Sequence, residues 1–213
     1  GAIAMVDSIG GGGGGGATEV LDGSVPGGWQ TLADIPTSRL NQTGAATDGS
    51  LYVVGGSAPS GSPDAGEIQS DVFEYDLATD TWFTSTIPDM PSPRSEAGVA
   101  GLGGSIYVAG GEKPTETYSD TLFIYDGGSW STTTLGTGAS RSAPLAASYS
   151  GGGQDVVLIV GGGSIAGDGT KLDIYVTGAD SFTTGADMPN TAERANGGVI
   201  GDYLYVVGGE DPD

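Results

Sequence analysis

Four stretches of the chain repeat one another: Leu51-Tyr52-Val53-Val54-Gly55-Gly56, Ile106-Tyr107-Val108-Ala109-Gly110-Gly111, Leu158-Ile159-Val160-Gly161-Gly162 and Leu204-Tyr205-Val206-Val207-Gly208-Gly209. Each is a short β-branched and aromatic run halted by a glycine pair, the pattern of a strand that ends in a turn. The first glycines of the pairs fall at 55, 110, 161 and 208, so successive units are 55, 51 and 47 residues apart. Self-similarity at such a period marks an array of stacked supersecondary units.

Other registers share the period. The four arginines of the chain, Arg39, Arg94, Arg141 and Arg194, are spaced by 55, 47 and 53 residues and read as one phase of the repeat. Phe73-Glu74-Tyr75-Asp76 is followed by Trp82, Phe123-Ile124-Tyr125-Asp126 by Trp130, and Leu172-Asp173-Ile174-Tyr175 by Phe182. Asp34-Ile35-Pro36, Asp89-Met90-Pro91 and Asp187-Met188-Pro189 each precede an arginine, whereas Arg141 has Gly136-Thr137-Gly138 before it. In this order the registers resemble the kelch repeat, over roughly residues 17 to 209. The resemblance implies an all-β fold, a β-propeller of four-stranded blades.

The residues read alone agree. Each unit holds about four short apolar runs split by turn formers, and no longer stretch shows a helical period. One blade cannot bury both its faces, so blades must stack around an axis. Units 39–93, 94–140 and 141–193 are complete. Residues 194–209 supply the first two strands of another unit, and residues 17–38 resemble its last two. The expectation is about four blades, three complete and one split between the termini, or else a piece of a larger propeller. Residues 1–16 are expected to be a flexible, glycine-rich segment or an anchor, with Gly10–Gly16 a run of seven glycines. A degenerate blade beginning at Ala2-Ile3-Ala4-Met5-Val6 is the alternative. Residues 17–213 form the propeller.

Composition narrows the function. The chain has 213 residues, 42 of them Gly, with no Cys and no His. Disulfides, zinc sites of the usual kind, and Ser-His or Cys-His catalysis are therefore excluded. Lys+Arg is 6 and Asp+Glu is 27, a net charge of −21, which disfavours nucleic acid and anionic membrane surfaces as partners. No apolar run is long enough for a membrane span. The acids are spread through every unit, which fits a chain kept soluble in high salt.

The candidate ligand-binding residues are the arginine ring, Arg39, Arg94, Arg141 and Arg194. The resemblance implies that arginines of this phase contact acidic peptides near the central channel, a role suited to a planar fork of donors. The alternative is structural, with each arginine tied to a local acid such as Glu96, Glu193 or an Asp of the Asp-x-Pro turn. The loops after the glycine pairs are the candidate binding face, represented by Ser57, Asp64, Glu112, Lys113, Tyr118 and Asp168. Asp48-Gly49-Ser50 and Asp168-Gly169-Thr170 lack the spaced acids of a calcium loop and read as turns. No residues read as catalytic, and no metal or cofactor is expected. The expected function is a non-enzymatic surface or extracellular propeller serving binding, adhesion or assembly, from a halophile or its virus. Its partners would be a protein or glycan ligand or neighbouring subunits. A carbohydrate-acting enzyme of propeller fold, mutarotase-like or sialidase-like, is the alternative.

Overall fold

Strands of about five residues joined by glycine-rich hairpins dominate the computed structural model of the protein, which describes residues 3–7, 17–21, 29–115, 117–163 and 169–210. The first sheet holds β1 (Ile3–Asp7), β2 (Ala17–Leu21) and β3 (Trp29–Thr31). The next is a full antiparallel blade of β4 (Thr43–Thr47), β5 (Ser50–Val54), β6 (Val72–Asp76) and β7 (Thr81–Phe83), paired in that order. The second blade is built from β8 (Gly98–Leu102) and β9 (Ser105–Ala109). After a small hairpin of β10 (Glu112–Lys113) and β11 (Thr117–Tyr118), it is completed by β12 (Thr121–Tyr125) and β13 (Trp130–Thr134). The third blade is β14 (Leu145–Gly151), β15 (Gln154–Val160), β16 (Leu172–Val176) and β17 (Ser181–Thr184), and β18 (Asn196–Ile200) pairs with β19 (Tyr203–Val207).

This is a β-propeller architecture with three complete four-stranded blades among the described residues. The terminal strands form two separate sheets among the described residues, β1-β2-β3 and β18-β19, rather than one blade shared between residues 17–38 and 194–209, because β1 takes the place beside β2. β1 pairs with β2, with Ile3 opposite Leu21 and Val6 opposite Thr18. It thus lies where β5, β9 and β15 lie on their own third strands. Gly10–Gly16 lie outside the described residues.

The first strands β4, β8, β14 and β18 contact one another in sequence and face the axis. They are poor in bulk because neighbouring blades approach closely there. A methyl group on Gly98 would lie 2.6 Å from the Pro144 carbonyl oxygen of the next blade.

The apolar core lies between blades rather than within one. Val54 and Val72 of the first blade pack with Val99, Ile106, Val108 and Phe123 of the second. Tyr107, Ala109 and Leu122 of the second pack with Val157, Ile159 and Tyr175 of the third. Each blade therefore has a leading face toward its predecessor and a trailing face toward its successor. The aromatic register sits at the outer edge. Tyr75 meets Trp82, Tyr125 meets Trp130 and Tyr175 meets Phe182 at ring-centroid distances of 4.9, 5.3 and 5.1 Å.

The Asp-x-Pro motif now has a reason. Trp82 Nε1 donates to the Ala33 carbonyl beside Asp34-Ile35-Pro36, and Trp130 Nε1 donates to the Pro88 carbonyl beside Asp89-Met90-Pro91. The outer tryptophan thus holds the exit of the preceding blade. In the third blade Phe182 has no N–H to offer, and the exit it packs against is the Gly136-Thr137-Gly138 segment that lacks the motif. The two departures from the repeat compensate one another: a methyl on Gly136 would lie 2.6 Å from Phe182 Cβ.

Candidate functional site

The glycine pairs join the blades. Gly110 and Gly111 have φ of 64° and 89°, the left-handed region that side chains disfavour. Gly111 N–H donates to the Arg141 carbonyl of the next blade at 2.8 Å. Gly56 donates likewise to the Arg94 carbonyl and Gly162 to the Ala192 carbonyl, both at 2.8 Å. These bonds correct the arginine register. Ala192, not Arg194, takes the position of Arg94 and Arg141, and the fourth arginine lies two residues further on. The bridges Leu40–Ser57, Ser95–Glu112, Ser142–Gly163 and Glu193–Glu210 give the same alignment.

Arg39, Arg94 and Arg141 are buried, at 6, 4 and 0% exposure. Arg39 Nη2 donates to Asp71 Oδ2 at 2.5 Å, with its guanidinium over the Phe73 ring. Arg94 lies 4.6 Å from the centroid of Phe123 and donates to Ser92 Oγ, Ser119 Oγ and Thr121 Oγ1. Its burial pulls its pKa below the ordinary arginine value. Arg141 pairs with Asp173, also 0% exposed, and donates to the Lys171 carbonyl at 3.0 Å. Phe73, Phe123 and Asp173 share one position, opposite Val53, Val108 and Ile159. At this position two blades offer a ring to stack on and the third a carboxylate, while Arg39 takes its carboxylate from Asp71 instead. These three side chains tie strands together inside the blades.

Arg194 is different in kind. Its side chain is 51% exposed, and its φ is 56°. Asn41, Glu96 and Ala143 also have positive φ and share its phase, at 54°, 51° and 44°. Their backbones form a staircase around the channel mouth: Glu96 N–H donates to the Asn41 carbonyl, Ala143 N–H to the Glu96 carbonyl, and Arg194 N–H to the Ala143 carbonyl. Arg194 Nη2 reaches past the small Ala143 to both Glu96 carboxylate oxygens, each at 3.0 Å. Nη1 meets Glu210 and Glu193. These carboxylates, Glu96 first, raise the arginine pKa further. Hence the four arginines do not converge as a ring of free donors. Three are internal, and the fourth is held by acids at the mouth.

The loop residues are divided. Ser57, Glu112 and Lys113 line one cleft of about 650 Å³ with Asn41, Glu67, Ile68, Ser95 and Pro114, beside the mouth. Asp64 lines another, of about 880 Å³, with Pro59, Ser62 and Gln69. Tyr118 stands on β11 opposite Glu112. Asp168 lies outside the described residues. Among the described residues no cluster of three or more acids is arranged to hold a metal ion. No helix there is long and apolar enough to cross a membrane.

Asp71, Asp173 and Ile68 were not singled out in the sequence. A signal for the arginine register did exist there. Arg39 and Arg94 each precede their glycine pair by 16 residues, as Ala192 does, while Arg194 precedes its own by 14.

The architecture matches the solved structure of YjhT, with a TM-score of 0.73 at 19% identity, covering 91% of this chain and 66% of that one. In sequence the chain is 27% identical over 208 residues to Kelch-like protein terF of Aspergillus terreus, covering 88% of this chain and 43% of the relative. A shorter stretch of 90 residues, 40% of this chain and 23% of the relative, is 39% identical to the N-acetylneuraminate epimerase of Pasteurella multocida. The chain thus spans less than half the length of these curated relatives. Residues 28–211 match the KLHDC2/KLHL20/DRC7 Kelch-repeats domain, so with its glycine pairs, outer tryptophans and buried arginines this chain belongs to the kelch-repeat family.

Proposed function

We propose that the chain is a non-enzymatic binding propeller, engaging a protein partner on the face that carries the channel mouth and the loops after the glycine pairs. One observation supports this most. Loops of two neighbouring blades meet in the cleft beside the mouth, where Ile68 and Pro114 are flanked by Glu67, Glu112 and Lys113. A mainly polar and charged cleft with an apolar contact point at Ile68 and Pro114 suits a polar segment of a protein partner. The binding role of the mouth falls to Arg194 and its acids, because Arg39, Arg94 and Arg141 are committed inside the blades.

Selection of displayed peptides on the immobilised chain tests this. The enriched peptides should lose binding to an Ile68→Asp, Glu112→Lys variant and keep it to Asp155→Lys, which lies at a different cleft. Peptides that ignore the first variant would overturn the reading, as would enrichment of glycans alone on a parallel array. The net charge of −21 supports a surface or extracellular setting in a saline environment. Urea midpoints that fail to rise with salt would count against that setting.

The 39% identity to an N-acetylneuraminate epimerase over 90 residues favours a second reading, a carbohydrate-acting enzyme. Interconversion of N-acetylneuraminate epimers, followed by proton NMR with and without the protein, decides it.

A further inference from the structure

The chain has three asparagines, and one of them opens an Asn-x-Thr triplet, Asn41-Gln42-Thr43. Asn190 has Ala192 two residues on and Asn196 has Gly198, so neither of those is followed by the hydroxyl. Asn-x-Ser/Thr, with x other than proline, is the acceptor signature for an N-linked glycan. The repeat does not account for this triplet. Asn41 shares its step of the staircase with Glu96, Ala143 and Arg194. Thr43, opposite Val54, shares its strand position with Gly98, Leu145 and Asn196, which lie opposite Ala109, Val160 and Val207. Blades therefore form without an amide at the first place of the triplet or a hydroxyl at the third. Nor do the Asn41 and Thr43 side chains have hydrogen-bond partners among the described residues.

The place of the acceptor gives the triplet a consequence. Asn41 is exposed, just ahead of β4, and its φ of 54° is one that asparagine tolerates better than most residues. It lines the cleft of about 650 Å³ beside the mouth, together with Ser57 and Glu67 of its own blade and Ser95 and Glu112 of the next. Both blades that wall this cleft are complete. We propose that Asn41 is an N-glycosylation site, and that its glycan stands over the cleft and withholds it from the partner. In the transfer, a bond forms between Asn41 Nδ2 and the anomeric carbon of a lipid-linked oligosaccharide. The bond from that carbon to the lipid diphosphate breaks, the diphosphate leaves with the electron pair, and one Nδ2 proton is lost. The attachment rests on the surface or extracellular setting proposed above, and the shielding rests on the partner reading of the cleft.

Intact mass of the protein isolated from its own cells, with the cytoplasmic and exterior fractions kept apart, is the first measurement. Protein from the exterior should be heavier than its sequence by whole sugars, and peptide mapping should place them on Asn41. Unmodified protein in the exterior fraction overturns the site and leaves the setting standing, whereas unmodified protein found in the cytoplasm alone overturns both. Exported from a glycosylating yeast, the protein should lose the added mass in Asn41→Gln and in Thr43→Val and keep it in Thr43→Ser. Sugar retained by Asn41→Gln would overturn the assignment. Circular dichroism shows whether each variant keeps its strands. Displayed peptides selected on the sugar-free protein should bind the glycosylated form about tenfold or more weakly, and should bind yeast-exported Asn41→Gln as they bind the sugar-free protein. Equal binding to the glycosylated form would overturn the shielding. Peptides that ignore the Ile68→Asp, Glu112→Lys variant sink the partner reading and the shielding with it, while the mass measurement still decides the attachment.

Discussion

Removing the carboxylate of Asp173 should cost this fold about 3–5 kcal/mol. Asp173 and Arg141 are both 0% exposed. The carboxylate accepts from Thr137 N–H at 2.7 Å, from Thr137 Oγ1 at 2.9 Å, and from Arg141. Asp173→Ala strands a guanidinium that is 0% exposed without its counter-ion, and breaking one half of a buried pair typically costs about 3–5 kcal/mol. Against a whole-domain stability of about 5–15 kcal/mol that is a large share. The three tryptophans report unfolding, and Trp82 and Trp130 sit at blade junctions. With a urea slope of about 2–3 kcal/mol/M the midpoint should fall by at least about 1 M. The double variant Asp173→Leu, Arg141→Met should recover much of the loss, since an apolar pair of similar volume leaves no buried charge. The reasoning fails if Asp173→Ala shifts the midpoint negligibly, or if the double variant is worse than the single one.

Arg194→Ala should cost less than about 1 kcal/mol in the same assay, because its ion pairs are half exposed and screened. Glu96→Gln and Arg194→Ala together should cost less than their separate sum, because the two share one interaction. Gly110→Ala should destabilise by about 2 kcal/mol or more, combining the left-handed φ of 64° with a methyl 2.6 Å from the Arg141 carbonyl. Gly103→Ala separates these effects, for its φ of 56° carries the first cost and the space around it carries no clash. Burial, then the hydrogen bonds to Asp80 and Asp180, raise the phenols of Tyr75 and Tyr175 above their ordinary value of 10.0. A group that binds its proton more tightly when folded stabilises fully below its unfolded pKa, and loses that contribution as pH rises toward the folded one. Stability should therefore decline above pH 10, and Tyr75→Phe should flatten the decline in an alkaline series of urea midpoints.

What the sequence made legible were the features imposed by local physics. Glycine pairs mark places where positive φ and backbone contact coincide, and the Tyr-Trp spacing marks a cross-strand aromatic pair such as Tyr125 opposite Trp130. The residue types alone carry those. The phase of Arg194 was not legible from arginine spacing, because loops and hairpins change length between units: β14 and β15 each run to seven residues where β8 and β9 have five. Distances must be counted to the nearest fixed backbone feature, the glycine pair, rather than from unit to unit. The partners of the buried arginines were hidden for another reason. Phe73, Phe123 and Asp173 do one job with different chemistry, so the position repeats while the residue type does not. The cleft at Ile68 depends on where loops fold back, which no periodicity records.

The staircase at the channel mouth bears on how such a surface can change over time. Asn41, Glu96, Ala143 and Arg194 occupy equivalent steps, and a main-chain hydrogen bond links each step to the next. The four side chains differ in charge, size and polarity, and the ladder of amides and carbonyls beneath them is undisturbed. Support and chemistry are thus assigned to different atoms. Substitution at a step rewrites what the mouth presents without renegotiating how the blades are hung, as long as the residue tolerates a left-handed backbone. A lineage can then explore new mouths one residue at a time, and every intermediate keeps a sound frame.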